Sequence, residues 1–138
     1  MGLTFTVYGT PKPQGSMRAF RHRTTGKVMV TTDNKQLKPW RQQVSETAMY
    51  ARYESGRCVE LCKVYPVRID LAFYFARPKS AKKRIGMTVK PDLDKLQRAV
   101  FDAITGILIH DDAQITSVTA RKHYGDPERV EITVEELR

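Results

Sequence analysis

The chain has 138 residues and 41% hydrophobic content, enough for one compact domain with its own core and too little for two. No run is long and apolar enough to cross a bilayer, and residues 1–8 alternate polar and apolar types instead of forming a basic-then-apolar leader, so a soluble, unexported, cytoplasmic protein with no membrane partner is expected. Its 24 Lys and Arg against 15 Asp and Glu give a net charge of +9, with 18 basic and 5 acidic side chains in residues 1–90 but 6 and 10 in residues 91–138; a surplus so concentrated calls for a polyanionic partner, and nucleic acid leads because basic groups on phosphates release condensed counterions.

Leu3, Phe5 and Val7 alternate with Thr4, Thr6 and Tyr8, the period of a strand with one buried face, and the strand should end at Gly9. Residues 9–16 are rich in Gly and Pro and run into Arg18, Arg21 and Arg23, a basic stretch that also carries Phe20 and His22. The turn at residues 24–27 leads to Val28 and Val30 and predicts a short hairpin. Over residues 34–53, Leu37, Trp40, Val44, Ala48 and Ala51 recur at spacings of three and four, so an amphipathic helix is expected, capped by Asp33 or Asn34, trimmed by Pro39 and ended by Gly56.

Cys58 and Cys62 lack the companion ligands of a zinc site and read as reduced thiols. Val67, Ile69, Leu71, Phe73 and Phe75 then alternate over nine residues, predicting a central core strand. The following stretch carries Arg77, Lys79, Lys82, Lys83 and Arg84 with no acid, and reads either as a solvated loop or as a phosphate-contacting one. A second helix should begin near Asp92, with Leu93, Leu96, Val100, Ala103 and Ile104 as its apolar stripe and Gly106 as its stop. Beyond it, residues 116–120 and 130–134 predict two strands joined through Gly125, Asp126 and Pro127. The order β, hairpin, helix, β, helix, β, β is no regular βαβ repeat and favours the α+β class in a single domain, residues 1–138.

The chemistry concentrates at the charge boundary. In Lys90-Pro91-Asp92-Leu93-Asp94-Lys95-Leu96-Gln97-Arg98, two carboxylates one residue apart stand where an irregular segment enters a helix, and about twenty residues later Asp111-Asp112 ends a short apolar run. Mg²⁺ takes hard oxygen ligands and keeps several waters, so a few carboxylates and substrate phosphate oxygens suffice for a phosphodiester-cleaving site. Each piece also has a plainer reading. Asp92 alone is a helix cap, Asp111-Asp112 alone is a turn, and Arg98, four residues after Asp94 on the same helix face, is either an i,i+4 ion-pair partner or a cation beside a phosphate. His110 and His123 read as solvated.

Residues 92–103, followed by Asp111-Asp112-Ala113-Gln114, resemble the RusA family of Holliday-junction resolvases, whose signature is Asp-x-Asp-Asn-Leu, a helix, and a later Asp-Asp-x-Gln. Residues 9–18, with Pro11, Lys12, Pro13 and Gln14, resemble that family's opening turn. The resemblance implies a small α+β homodimer, a small mixed sheet packed with two main helices, that binds four-way DNA junctions in recombination and repair and nicks opposing strands with Mg²⁺ or Mn²⁺. It assigns Asp92, Asp94 and Asp112 as essential carboxylates and metal ligands, Asp111 as an adjacent ligand, and Arg98 as the catalytic basic residue, where Lys is usual. Lys95 stands where the family has Asn. Arg98 keeps its charge but does not readily give up a proton, which favours electrostatic stabilisation over general-acid work at that position.

Lys12, Arg18, Arg21, Arg23, Arg77, Lys79, Lys82, Lys83, Arg84 and Lys95 are the expected DNA-binding residues, positioning duplex arms by their phosphates. Phe20 or Tyr74 reads as a base-stacking or a core aromatic. A two-fold dimer would put one site on each scissile strand, with the strand at residues 67–75 or the helix from Leu37 as its interface. The rival from another class is a catalytically inert basic DNA-binding protein. A Pro-Asp…(Asp/Glu)-x-Lys nuclease is set aside, because nothing after Asp94 supplies its second half.

Overall fold

The structure, a computed structural model, describes residues 2–15, 17–21, 24–32, 35–56 and 63–138. Its elements are β1 (Gly2–Tyr8), β2 (Met17–Arg21), β3 (Val28–Thr32), α1 (Leu37–Glu54), β4 (Val67–Phe75), α2 (Leu93–Ile104), β5 (Ile115–Tyr124) and β6 (Arg129–Glu136), with single 3₁₀ turns at Lys79–Ala81 and Asp112–Gln114. The predicted hairpin is present as the antiparallel pair β2–β3. Asp33, Asn34 and Arg23 lie outside the described residues; Gln36 takes the N-cap position of α1 without a side-chain capping bond. Gly56 follows the helix with a φ of 74°, as its predicted role as terminator requires.

A four-stranded sheet in the order β1-β6-β4-β5 forms the scaffold. β6 pairs antiparallel with both β1 and β4, whereas β5 runs parallel to β4, so the sheet is mixed. The alternation in β4 translates directly into burial: Val67, Ile69, Leu71, Phe73 and Phe75 are buried, and the residues between them are not. Val130, Ile132 and Val134 of β6 continue that face, and Phe5 and Val7 of β1 extend it. Over it lie Trp40, Val44 and Ala48 of α1 and Leu96, Val100, Ala103 and Ile104 of α2. Burying side chains such as Phe73 or Ile132 stabilises the fold by roughly 1.5–3 kcal/mol each. Ser45 Oγ donates to the Ala103 carbonyl at 2.7 Å and ties the two helices together.

Sequence periodicity leaves strand order open, and the order matters here. β5 and β6 are successive in the chain and do not pair; β4 lies between them. The connection must therefore pass over the end of β4. Gly125 makes that passage: its N–H donates to Phe75 O at 2.8 Å, and a Cβ at this position would stand 2.7 Å from Cδ1 of Tyr74. No other residue fits there without displacing the ring. β4 is thus paired on both edges and has no free edge to offer a second copy of the chain, which removes edge pairing through residues 67–75 as a route to a dimer. No helix among the described residues is long and apolar enough to cross a membrane.

Candidate active site

α2 begins where the sequence places it. Asp92 occupies the N-cap position with extended backbone (φ −71°, ψ 138°), Asp94 sits in the first turn, and Gly106, with a φ of 85°, follows the end of the helix. The expected capping bond is not made: the Asp92 side chain accepts nothing from the helix N–H groups. Asp92 and Asp94 are both exposed, and among the described residues neither carboxylate is committed to an ion pair. Two outside groups hold the backbone around them. Lys122 Nζ on β5 donates to the carbonyls of Val89 at 2.7 Å and Pro91 at 2.9 Å, and the N–H of Gln14 in the opening turn donates to Lys95 O at 2.9 Å. Pro11 of that turn is fully buried, and Thr10 Oγ1 donates to Glu128 Oε1 at 2.7 Å.

The second acidic pair is built differently. Asp111 caps the 3₁₀ turn, its Oδ1 accepting from the N–H of Ala113 at 2.9 Å. Gln114 completes a reciprocal capping box, with Oε1 accepting from the N–H groups of His110 at 2.9 Å and Asp111 at 3.1 Å. Its Nε2 donates to Tyr65 O at 3.2 Å, just before β4, so the turn is tied to the core strand. The Ala113 N–H and a hydrogen bond from Asp112 hold the Asp111 carboxyl below the usual carboxylate range. Asp112 moves the opposite way. Its hydrogen bond to Asp111, some loss of solvation, and the negative charges of Asp111 and Asp102 raise it.

Asp102 was not singled out by motif reasoning, although it belongs to the same helix stripe as Asp94 and Arg98, at successive steps of four residues. Arg41 of α1 pairs with it at 3.6 Å. Asp112 therefore lies within electrostatic reach of the later part of α2, whereas Asp94 is in the first turn, about 12 Å away along the helix axis. The arrangement brings Asp111, Asp112 and Asp102 together electrostatically and keeps Asp92 and Asp94 apart from them. Among the described residues no three His, Cys, Asp or Glu side chains converge into a ready-made metal cage.

The donor set still suits a hard divalent cation, which needs one or two carboxylates and fills its remaining positions with water and substrate phosphate. Asp92 and Asp94 carry exposed oxygens with no partner among the described residues, and Asp112 is a carboxylate near the negative charges of Asp111 and Asp102, a tension that a cation relieves. Arg98 is exposed on the stripe between Asp94 and Asp102.

The basic loop after β4 divides into two kinds of residue. Arg77 Nη1 donates to the carbonyls of Ala81 and Arg84, both at 2.7 Å, and its guanidinium lies 4.3 Å over the ring of Tyr124. Arg84 Nη1 donates to the hydroxyl of Tyr124 at 2.5 Å. These two arginines spend their donors on the loop's own carbonyls and on Tyr124. Lys79, Lys82 and Lys83 are exposed and remain available to a polyanion. Lys12 and Lys95 are half-buried, the backbone of Arg18 and Arg21 lies on β2, and Arg23 is outside the described residues. Tyr74 is half-buried on the sheet, 5.4 Å from the His123 ring and 3.9 Å beneath the Arg129 guanidinium, so its face is already occupied.

Residues 9–135 match the family model described as Endodeoxyribonuclease RusA. A relative in Bacillus subtilis (strain 168), the uncharacterized protein YqaN, is 31% identical over 150 aligned residues that cover 98% of this chain and 96% of the relative.

Proposed function

The chain belongs to the RusA endodeoxyribonuclease family, and from that premise we propose that it resolves four-way DNA junctions by divalent-metal-dependent hydrolysis of the phosphodiester backbone, acting as a homodimer in DNA recombination and repair. The observation that carries the reading is the exposed, uncommitted pair Asp92 and Asp94 at the entrance to α2, accompanied by Asp112, whose carboxyl is crowded by Asp111 and Asp102.

In this proposal Asp92 and Asp94 would hold Mg²⁺ or Mn²⁺, completed by water and substrate phosphate, and Asp112, apart from that pair, would supply a separate carboxylate for a cation. When bound, such an ion lowers the pKa of a coordinated water and neutralises charge on the phosphoryl oxygens. Asp111 has a supporting part: with its Oδ1 engaged by Ala113, it orients the turn that presents Asp112. Arg98 offers a permanent positive charge to the leaving oxygen and stays protonated throughout, so the proton that oxygen needs comes from water. Lys79, Lys82 and Lys83 hold a duplex arm by its phosphates, while Arg77 and Arg84 keep their loop in shape; Lys12, Arg18, Arg21, Arg23 and Lys95 add to the same basic surface. Two scissile strands related by a two-fold axis ask for two such sites, hence the dimer.

The test is cleavage of an end-labelled synthetic four-way junction and of a linear duplex of the same sequence, each with Mg²⁺ and with EDTA. Symmetric nicks in the junction alone, only with Mg²⁺, are the expected result. Binding of the junction without nicking under every metal condition would instead identify an inert DNA-binding protein.

A further inference from the structure

Lys122 belongs to no signature and would pass for a solvated residue on an edge strand, yet its ammonium reaches back across more than thirty residues of sequence. It donates to Val89 O at 2.7 Å and Pro91 O at 2.9 Å, the two carbonyls that flank Lys90 and lead directly to Asp92. Residues 85–92 have little else to hold them. Ile85 and Val89 are exposed, and Met87 alone among their large apolar side chains packs against the core. The Thr88 N–H bonds to Gly86 within the segment, and the Asp92 carbonyl accepts from Leu96 of the helix that follows. Among the described residues, the two bonds from Lys122 are the only hydrogen bonds that join this segment to another strand or helix beyond α2.

We propose that Lys122 is a positioning residue for the Asp92–Asp94 pair: by gripping the carbonyls of Val89 and Pro91 it fixes the entry of the chain into α2, and so the place at which both carboxylates are offered to a divalent cation. The role rests on the metal-dependent reading above. Its logic is that of an outer partner to a metal site, in which a group that touches no ion decides how well the ligands fit one. Two carbonyls on either side of a single residue set both the height and the rotation of the peptide before Asp92, which one bond would leave free. An ammonium suits the task because it carries three donors and no acceptor, so each of its contacts with carbonyl oxygens is favourable.

The experiment uses the full chain and Mn²⁺ alone as the probe, followed by electron paramagnetic resonance, with Lys122→Met to remove the donors and keep the aliphatic stem. The midpoint for Mn²⁺ binding should rise about tenfold, within the range that loss of such partners costs. Amide exchange at Leu96, whose N–H is the first one bonded in α2, should quicken while amides of β4 and β6 keep their protection, and Lys122→Arg should recover part of both effects. A Lys122→Met protein that folds and binds Mn²⁺ at the wild-type midpoint overturns the proposal. If Lys122→Met does not fold, Lys122→Gln, with a single amide donor group, takes its place under the same criterion. A wild-type chain that binds Mn²⁺ but nicks no junction refutes the proposed function and leaves the positioning role to be judged on the Mn²⁺ midpoint and exchange alone.

Discussion

The two acidic pairs are held in opposite ways. Asp92 and Asp94 stand at the start of α2 with carboxylates that no described residue engages, and the backbone beneath them is fixed from a distance by Lys122 and Gln14. Asp111 and Asp112 sit inside a turn that organises itself, with Asp111 capping, Gln114 bracing and Asp112 left crowded. A carboxylate that must bind something else cannot spend its oxygens on its own support, so one pair has its support supplied by other elements and the other divides the labour between neighbours. This division gives a physical meaning to each member of the Asp-Asp-x-Gln pattern.

The widest separation between the pairs should appear when each loses its working acid. Asp94→Asn and Asp112→Asn are both expected to reduce Mg²⁺-dependent junction nicking to background while gel-shift binding persists. Their melting temperatures should move in opposite directions. Asp94 lies at the positive end of α2, and neutralising it removes about 0.3–1 kcal/mol of helix stabilisation, whereas Asp112→Asn relieves a carboxylate crowded by like charges and should raise the melting temperature. Movement in the same direction would break the contrast.

A smaller effect is expected at Gln114, whose amide accepts two N–H groups and donates to Tyr65 O. Gln114→Ala should cost about 0.5–1.5 kcal/mol in urea unfolding, the usual net worth of hydrogen bonds whose partners water can reach, with nicking weakened but not abolished. An unchanged unfolding midpoint would show that the turn stands without its brace.

The finest test is titration of the carboxyl ¹³C signals in metal-free protein. Asp111 should lose its proton below the ordinary Asp value of 3.8 and Asp112 above it. In Asp111→Asn, the charge and the shared proton disappear together, so the Asp112 midpoint should fall. Because the folded state raises Asp112, that group disfavours folding once it ionises, a penalty complete above its folded value and relieved as pH falls below it; Asp111, lowered in the fold, contributes stability above its unfolded value and loses it as pH falls through its folded value.

Much of this was legible in the residues. Strict alternation from Val67 to Phe75 admits one structure, and the apolar stripe that begins at Leu93 and stops at Gly106 marks α2 with both aspartates at its entrance. Gly56 and the β2–β3 hairpin were equally local signals. Strand adjacency was not, since no periodic pattern says that β4 parts β5 from β6. The same limit hid Asp102 and Lys122, whose significance lies in partners 10 and more than thirty positions away. It also hid the difference between Arg77, whose guanidinium is engaged by Tyr124 and two carbonyls, and Lys82, for which no such partner is seen among the described residues, because a charge run looks uniform when written as letters.

β5 has Asp112 three residues before its start and Lys122 near its far end, and a parallel ladder with β4 fixes it in place. One edge strand is thereby the gauge against which both acid groups are set. Insertions in the loop after β4 can lengthen or recharge that basic surface without altering the gauge, whereas a two-residue slip of β5 along β4 would detune both groups at once, and in that sense the nuclease keeps its calibration in a strand that performs none of the chemistry.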